Sequence, residues 1–146
     1  MKQFSKSALG VTLLEIMLVL AVAAMIIVMS VRYYQSATAS EQANSMLEMV
    51  QAITAAADGI AQPVGTYASA TTTAVTPMMP NQSMTTVWGA TVTLGSQSAT
   101  SYQVTISSIP TAVCNAFTPK LLASSKFTTS STCNGGAFTY TYTSTN

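Results

Sequence analysis

From Val11 to Val31 the chain is apolar except at Thr12, Glu15 and Ser30. A run of about 20 such residues is long enough to cross a bilayer as a helix, and too long and uniform for one strand. Glu15 is its only charge. A carboxylate well inside hydrocarbon costs on the order of 3 kcal/mol on insertion scales, so it needs a partner or an interface. Near the start of the run it can also snorkel to the membrane surface, and the run by itself leaves both readings open.

The flanks orient the segment. Lys2 and Lys6 precede it and a single Arg32 follows, which places the N-terminus on the cytoplasmic side and the remainder outside. A secretory signal would be cut after its apolar core, and Ala21-Val22-Ala23 has the required small residues. Cutting there would divide a hydrophobic run that continues to Val31.

No glycine or proline occurs between Val11 and Asp58. A single helix over that stretch would extend for ~72 Å at 1.5 Å per residue. Beyond Arg32 its character changes: Met46, Met49, Val50, Ile53, Ala57 and Ile60 recur near a helical period, while Glu41, Gln42, Asn44, Ser45, Glu48 and Gln51 fill the other positions. This half predicts one stripe packed on a soluble domain. Gly59 is the expected C-cap, and Pro63 blocks continuation.

Charge and composition limit the chemistry. Only 6% of the 146 residues are charged and none is histidine. From Val11 onward three basic residues, Arg32, Lys120 and Lys126, stand against Glu15, Glu41, Glu48 and Asp58, a balance of −1. A nucleic-acid surface normally clusters Lys and Arg, so none is expected. A hydrolytic triad lacks its base, and no set of side chains clusters as metal ligands. We therefore expect no catalytic residue, no cofactor and no metal. The methionines predict flexible packing. Asn81-Gln82-Ser83 matches a glycosylation pattern, but such triplets are common in a Ser/Thr-rich chain.

The segment from Gln62 to Thr85, with Pro63, Gly65, Pro77, Pro80 and a threonine run, predicts a long surface loop. Alternation in Val87–Leu94 and Ser101–Ser107 predicts a hairpin across Gly95–Thr100. A short helix is expected to start at Pro110, pass through Val113, Cys114 and Phe117, and end or turn at Pro119. Ala137–Thr143 predicts another strand. The class is α+β. A domain so small and poor in large aliphatics needs a staple, and Cys114 with Cys133 in an oxidising compartment supplies one. Tyr67, Trp88, Tyr140 and Tyr142 are read as core, with exposed binding aromatics as the alternative.

A short basic leader ending in Gly10, an apolar run retained after it, and Glu15 five positions beyond the glycine together resemble the class III signal of type IV pilins and pseudopilins. The segments from Arg32 to Ser40 and from Met49 to Ile60 look like those of type IVb pilins of the bundlin and PilS-like group. The resemblance implies a leader at 1–10, removed by prepilin peptidase between Gly10 and Val11. It implies a membrane and filament-core half-helix at 11–31, an amphipathic half at 32–60, and a β-sheet head at 61–146 with a disulfide-bounded D-region at 114–133. Glu15, with Thr12, would serve assembly, its carboxylate facing the new α-amino group of a neighbouring copy. The expected partners are the peptidase, the assembly platform, the bacterial inner membrane and further copies in an extracellular helical filament. The alternatives are a type II secretion pseudopilin, a minor pilin or adhesin, and a plain single-pass anchor. Pseudopilins often carry a calcium site near the C-terminus, and no carboxylate follows Asp58 here.

Overall fold

A computed structural model describes residues 12–144. The leader at 1–10 and the cleavage pair Gly10 and Val11 lie outside the described residues. The chain is α+β and divides into two compact units, 1–36 and 37–146. Helix α1 spans Leu13–Ala61, 49 residues. Its start is fixed by Thr12, whose carbonyl accepts from the amides of Glu15 (2.9 Å) and Ile16 (3.2 Å).

The end of α1 departs from expectation. Gly59 lies inside the helix rather than capping it, at a place where a Cβ would meet nothing within 4 Å. Termination falls instead on Pro63, which has no amide proton to continue the ladder and disfavours helical backbone at the residue before it. The amides of Val64 and Gly65 then fold back onto the Ala61 carbonyl at 3.1 and 2.7 Å. Gly65 adopts φ +72°, a conformation that costs a side-chain-bearing residue more than glycine.

In the unit 37–146, α1 buries Ala39, Ala43, Met46, Val50, Ile53, Ala57 and Ala61, spaced by three or four residues so that they share one face. They join a core formed with the sheet. The strands are β1 (Val92–Gly95), β2 (Ser101–Ile106), β3 (Phe127–Thr129) and β4 (Phe138–Thr143), ordered β1-β2-β4-β3 with every pairing antiparallel. Period-2 alternation sends Tyr102, Val104 and Ile106 to the core face of β2. Their partners Tyr142, Tyr140 and Phe138 on β4 are buried opposite them. Each large side chain buried in this way is worth roughly 1.5–3 kcal/mol before the entropy of ordering it.

The first strand of the hairpin begins later than its sequence suggests. Val87 to Gly89 form a tight turn in which Gly89 takes φ +82° and Thr86 binds the Ala90 amide through its hydroxyl (2.9 Å), so regular pairing starts only at Val92. The expected loop from Gln62 to Thr85 is a series of short helical turns: Tyr67–Ser69, helix α2 (Thr72–Val75), Thr76–Met78 and Pro80–Gln82. Threonines build it. Thr66 and Thr71 accept from the amides of Ala68 and Ala74, and the Thr76 hydroxyl donates to the Thr72 carbonyl at 2.6 Å. The Thr72 hydroxyl accepts from the Leu94 amide (2.8 Å) and donates to its carbonyl (3.3 Å), while Val92 donates to the Met84 carbonyl. The outer edge of β1 is thereby closed to foreign strands.

Helix α3 spans Thr111–Leu121, with Pro110 at its N-cap. Pro119 lies within it and does not end it. Leu121, two residues on, is buried in the core, and the amide of Leu122 closes on the Thr118 carbonyl at 3.0 Å. Burial of that last turn outweighs the single helical bond the proline omits. Strand β3 has no counterpart in the sequence prediction.

Tyr67, Tyr102 and Tyr142 form a contiguous ring cluster with centroids 5.1–5.9 Å apart. The Tyr140 hydroxyl is buried with no hydrogen-bond partner. Removing it in Tyr140→Phe should leave stability unchanged or raise it by about 1 kcal/mol in chemical denaturation, because an unmet buried hydroxyl is a net cost. A loss above about 1 kcal/mol would contradict that environment. Burial also pushes the phenols of Tyr102 and Tyr140 above their usual range, and that of Tyr67 by burial and its bond to Asp58. The folded state holds these protons more tightly than the unfolded chain, so their contribution is complete below pH roughly 10 and is lost as pH rises further. Alkaline melts should show this decline, and it should weaken in Tyr102→Phe.

Candidate functional site

The first candidate surface is the apolar part of α1. Every described residue from Thr12 to Ala37 is exposed, among them Leu14 (73%), Met17 (63%), Leu20 (62%) and Ile27 (63%). Contiguous apolar surfaces of this extent are characteristic of sites that meet a membrane or another protein. The helix is long and apolar enough to cross a membrane. At the end of the apolar run Arg32, Tyr33 and Tyr34 are exposed, and tyrosines concentrate at membrane–water boundaries.

The polar interruptions of this run differ in how they are satisfied. Ser30 donates its hydroxyl to the Ile26 carbonyl at 2.9 Å, within its own helix. Thr12 accepts the Glu15 amide on Oγ1 at 3.4 Å, a long N-cap contact. Thr12-Leu13-Leu14-Glu15 has the Thr-x-x-Glu pattern of a capping box, a signal present in the sequence that a search for membrane features passes over. Only its first half is made, since no described residue donates to the Glu15 carboxylate. Glu15 thus stands exposed in the first turn, where the helix dipole favours a negative charge.

The second candidate surface belongs to the unit 37–146. Cys114 and Cys133 form a disulfide with Cα atoms 5.5 Å apart, joining α3 to the segment between β3 and β4. Cys114 is buried and Cys133 half-buried, and the Thr118 hydroxyl lies 3.7 and 3.5 Å from their sulfurs. Lys120, near the end of α3, donates to the Asn44 Oδ1 of α1 at 2.6 Å. Beside this contact a groove of about 390 Å³ runs between α1 and β3, with Val50, Leu121 and Phe127 along it and Lys120, Lys126 and Asp58 at its margins. Asp58 Oδ1 accepts the Tyr67 hydroxyl at 2.6 Å. On the other flank of α1 a second groove of about 500 Å³ is bordered by Glu48, Met49, Met79 and Asn81.

Among the aromatics weighed as binding residues, Tyr67, Tyr140 and Tyr142 are buried, so they serve the core. Trp88 is half-buried, and its ring N–H donates to the Ser108 carbonyl at 2.9 Å. No group of three or more His, Cys, Asp or Glu side chains that could hold a metal occurs among the described residues. Asn81 is exposed at φ +60°, in the last of the short turns before β1.

Scans against protein-family models, curated proteins and solved structures return no match for this chain.

The disulfide closes a separation of 19 residues, for which the chain-entropy relation gives about 3 kcal/mol of stabilisation. Replacing both cysteines by alanine should lower unfolding free energy by about that amount and loosen α3 and β3 first, seen as faster amide exchange there than at β2. Unchanged stability would remove the bridge from the role of staple.

Proposed function

We propose that this chain is the structural subunit of a type IV pilus-like filament, made as a precursor and cut after Gly10 by a prepilin peptidase. The observation that carries the proposal is the contrast between the polar groups of the apolar run. Ser30 and Thr12 are turned onto their own helix, whereas the Glu15 carboxylate is presented without a donor among the described residues. A carboxylate kept on such a surface is strongly unfavourable alone and tolerated when paired. Cleavage at Gly10 would create that partner, an α-amine that is mostly cationic at neutral pH. It would lie four residues before Glu15 in the chain and be available to a neighbouring copy.

The proposed life cycle has two stages. The subunit first sits in the bacterial inner membrane as a single pass with its N-terminus in the cytoplasm. An assembly platform then transfers it into an extracellular filament, where neighbouring helices replace lipid around residues 11–31. Adhesion or aggregation would follow from surfaces of the head, and the subunit itself would be no enzyme and no nucleic-acid binder. The type II secretion pseudopilin remains the second reading. The disulfide, and the absence of carboxylates beyond Asp58 for a C-terminal calcium site, favour the pilin.

The mature N-terminus should be Val11 by mass spectrometry, and the protein should co-sediment with filaments sheared from cells. Glu15→Val should still be inserted and processed yet fall at least tenfold in the sheared fraction, the loss expected when a charge required for register is removed. A chain retaining Met1, or normal filaments from Glu15→Val, would overturn the proposal.

A further inference from the structure

Asn44, Asn81, Asn115 and Asn134 lie among the described residues, and only Asn134 is followed by glycine. The backbone nitrogen that follows an asparagine can attack the side-chain Cγ and close a five-membered imide. Glycine leaves that nitrogen unshielded, because it carries no Cβ. At the other three asparagines the nitrogen is engaged. The amides after Asn44 and Asn115 belong to helices α1 and α3, and the Gln82 amide after Asn81 donates to the Met79 carbonyl at 3.0 Å. The related Asp58-Gly59 pair is likewise enclosed within α1. The Gly135 amide, by contrast, has no acceptor among the described residues. Residues 133–136 form bends rather than helix or strand, and Asn134, Gly135 and Gly136 are all exposed. The carbon to be attacked is prepared as well. Asn134 Oδ1 accepts the Gly136 amide at 3.1 Å, so a donor already sits on the oxygen that gains negative charge when Cγ is attacked. Glycine at 136 permits that approach, since a Cβ there would stand 3.2 Å from Oδ1.

We infer that Asn134 is a site of spontaneous deamidation, converted to aspartate and its β-linked isomer through a cyclic imide formed with Gly135. The Gly135 nitrogen bonds to Cγ, and its proton passes through water to the departing Nδ2, which leaves as ammonia. Water then opens the imide at either carbonyl, one opening giving aspartate and the other the β-linked form. The only co-reactant is water, and nothing is oxidised or reduced. Either product places a carboxylate beside Cys133, in a sequence that has none after Asp58. The β-linked form also lengthens the backbone between Cys133, tied to Cys114, and Gly136, whose carbonyl accepts the Ile109 amide at 3.2 Å. The charge of this surface thus grows with the age of the molecule. Neither cleavage nor assembly enters the chemistry, so it holds independently of the proposed function.

The test needs no mutation. The disulfide-bonded full-length chain is purified in detergent and incubated at mildly alkaline pH in heavy-oxygen water, then digested in ordinary water so that only products of the incubation carry the label. Mass spectrometry should find labelled oxygen in the peptide that holds residue 134, and fragmentation should locate β-linked aspartate there. Asn44, Asn81 and Asn115 should convert at least about tenfold more slowly, since the amide after each must first break a hydrogen bond. In the reduced chain unfolded by guanidinium, Asn134 should convert at a rate within about tenfold of the folded one, because no bond holds the Gly135 amide in the fold. Conversion at Asn134 no faster than at the other three overturns the inference, as does a folded rate more than about tenfold below the unfolded one. A product containing α-linked aspartate alone overturns the imide route, since direct hydrolysis of the side chain would give only that.

Discussion

Apolar surface must leave water, and α1 meets that requirement in two different ways along one uninterrupted helix. From Ala39 to Ala61 a single stripe is covered by the sheet, so the other face is free to be polar. From Leu13 to Val31 the helix is apolar apart from Glu15 and Ser30, and every one of these residues is exposed. The first arrangement makes a stable unit, whereas the second leaves a contiguous apolar surface long enough to cross a membrane. The function proposed for the chain begins with that difference.

The sheet unit is small, and aromatic rings are the largest side chains in its core. Tyr102, Tyr140, Phe117 and Phe138 are its largest fully buried side chains. Rings fill volume with few rotatable bonds, but each buried tyrosine brings a hydroxyl that needs a partner. Tyr67 finds Asp58 at 2.6 Å, Tyr102 has Thr54 at 3.4 Å, and Tyr140 has none. The core is thus incompletely satisfied, and the Cys114–Cys133 bridge adds a covalent tie between α3 and the segment linking β3 to β4.

How much was legible follows from which residues set each element. The α1 stripe and the alternation at Tyr102, Val104 and Ile106 are periodic, so β2, β4 and the helix could be read directly. Gly59 and Pro119 misled because both are local signals overruled by what comes next: the chain keeps helix until Pro63 forbids it, and Leu121 draws one more turn into the core. The segment from Gln62 to Thr85 reads as loop because its order comes from threonine hydroxyls, whose partners lie partly in distant strands. Thr72 illustrates this, since its role depends on Leu94, 22 residues away. Strand β3 has three residues, too few for a period, and exists through its pairing with β4. At the candidate site, Glu15 was visible as an anomaly of charge, whereas its capping geometry with Thr12 emerged only with the backbone.

Hydrophobic association is strong but carries no direction of its own. Helices like residues 13–31 of α1 could slide or rotate against one another with little change in buried apolar area. A filament built on them would lack a defined register unless something polar penalised every arrangement but one. In a chain with 6% charged residues that task falls to very few side chains. On the proposed reading Glu15 would set the axial position, because its carboxylate would be paired only where a neighbour's cleaved N-terminus arrives. Scarcity of charge is then what makes each remaining charge specific, since among the described residues no ionic network is present to compensate a mismatch.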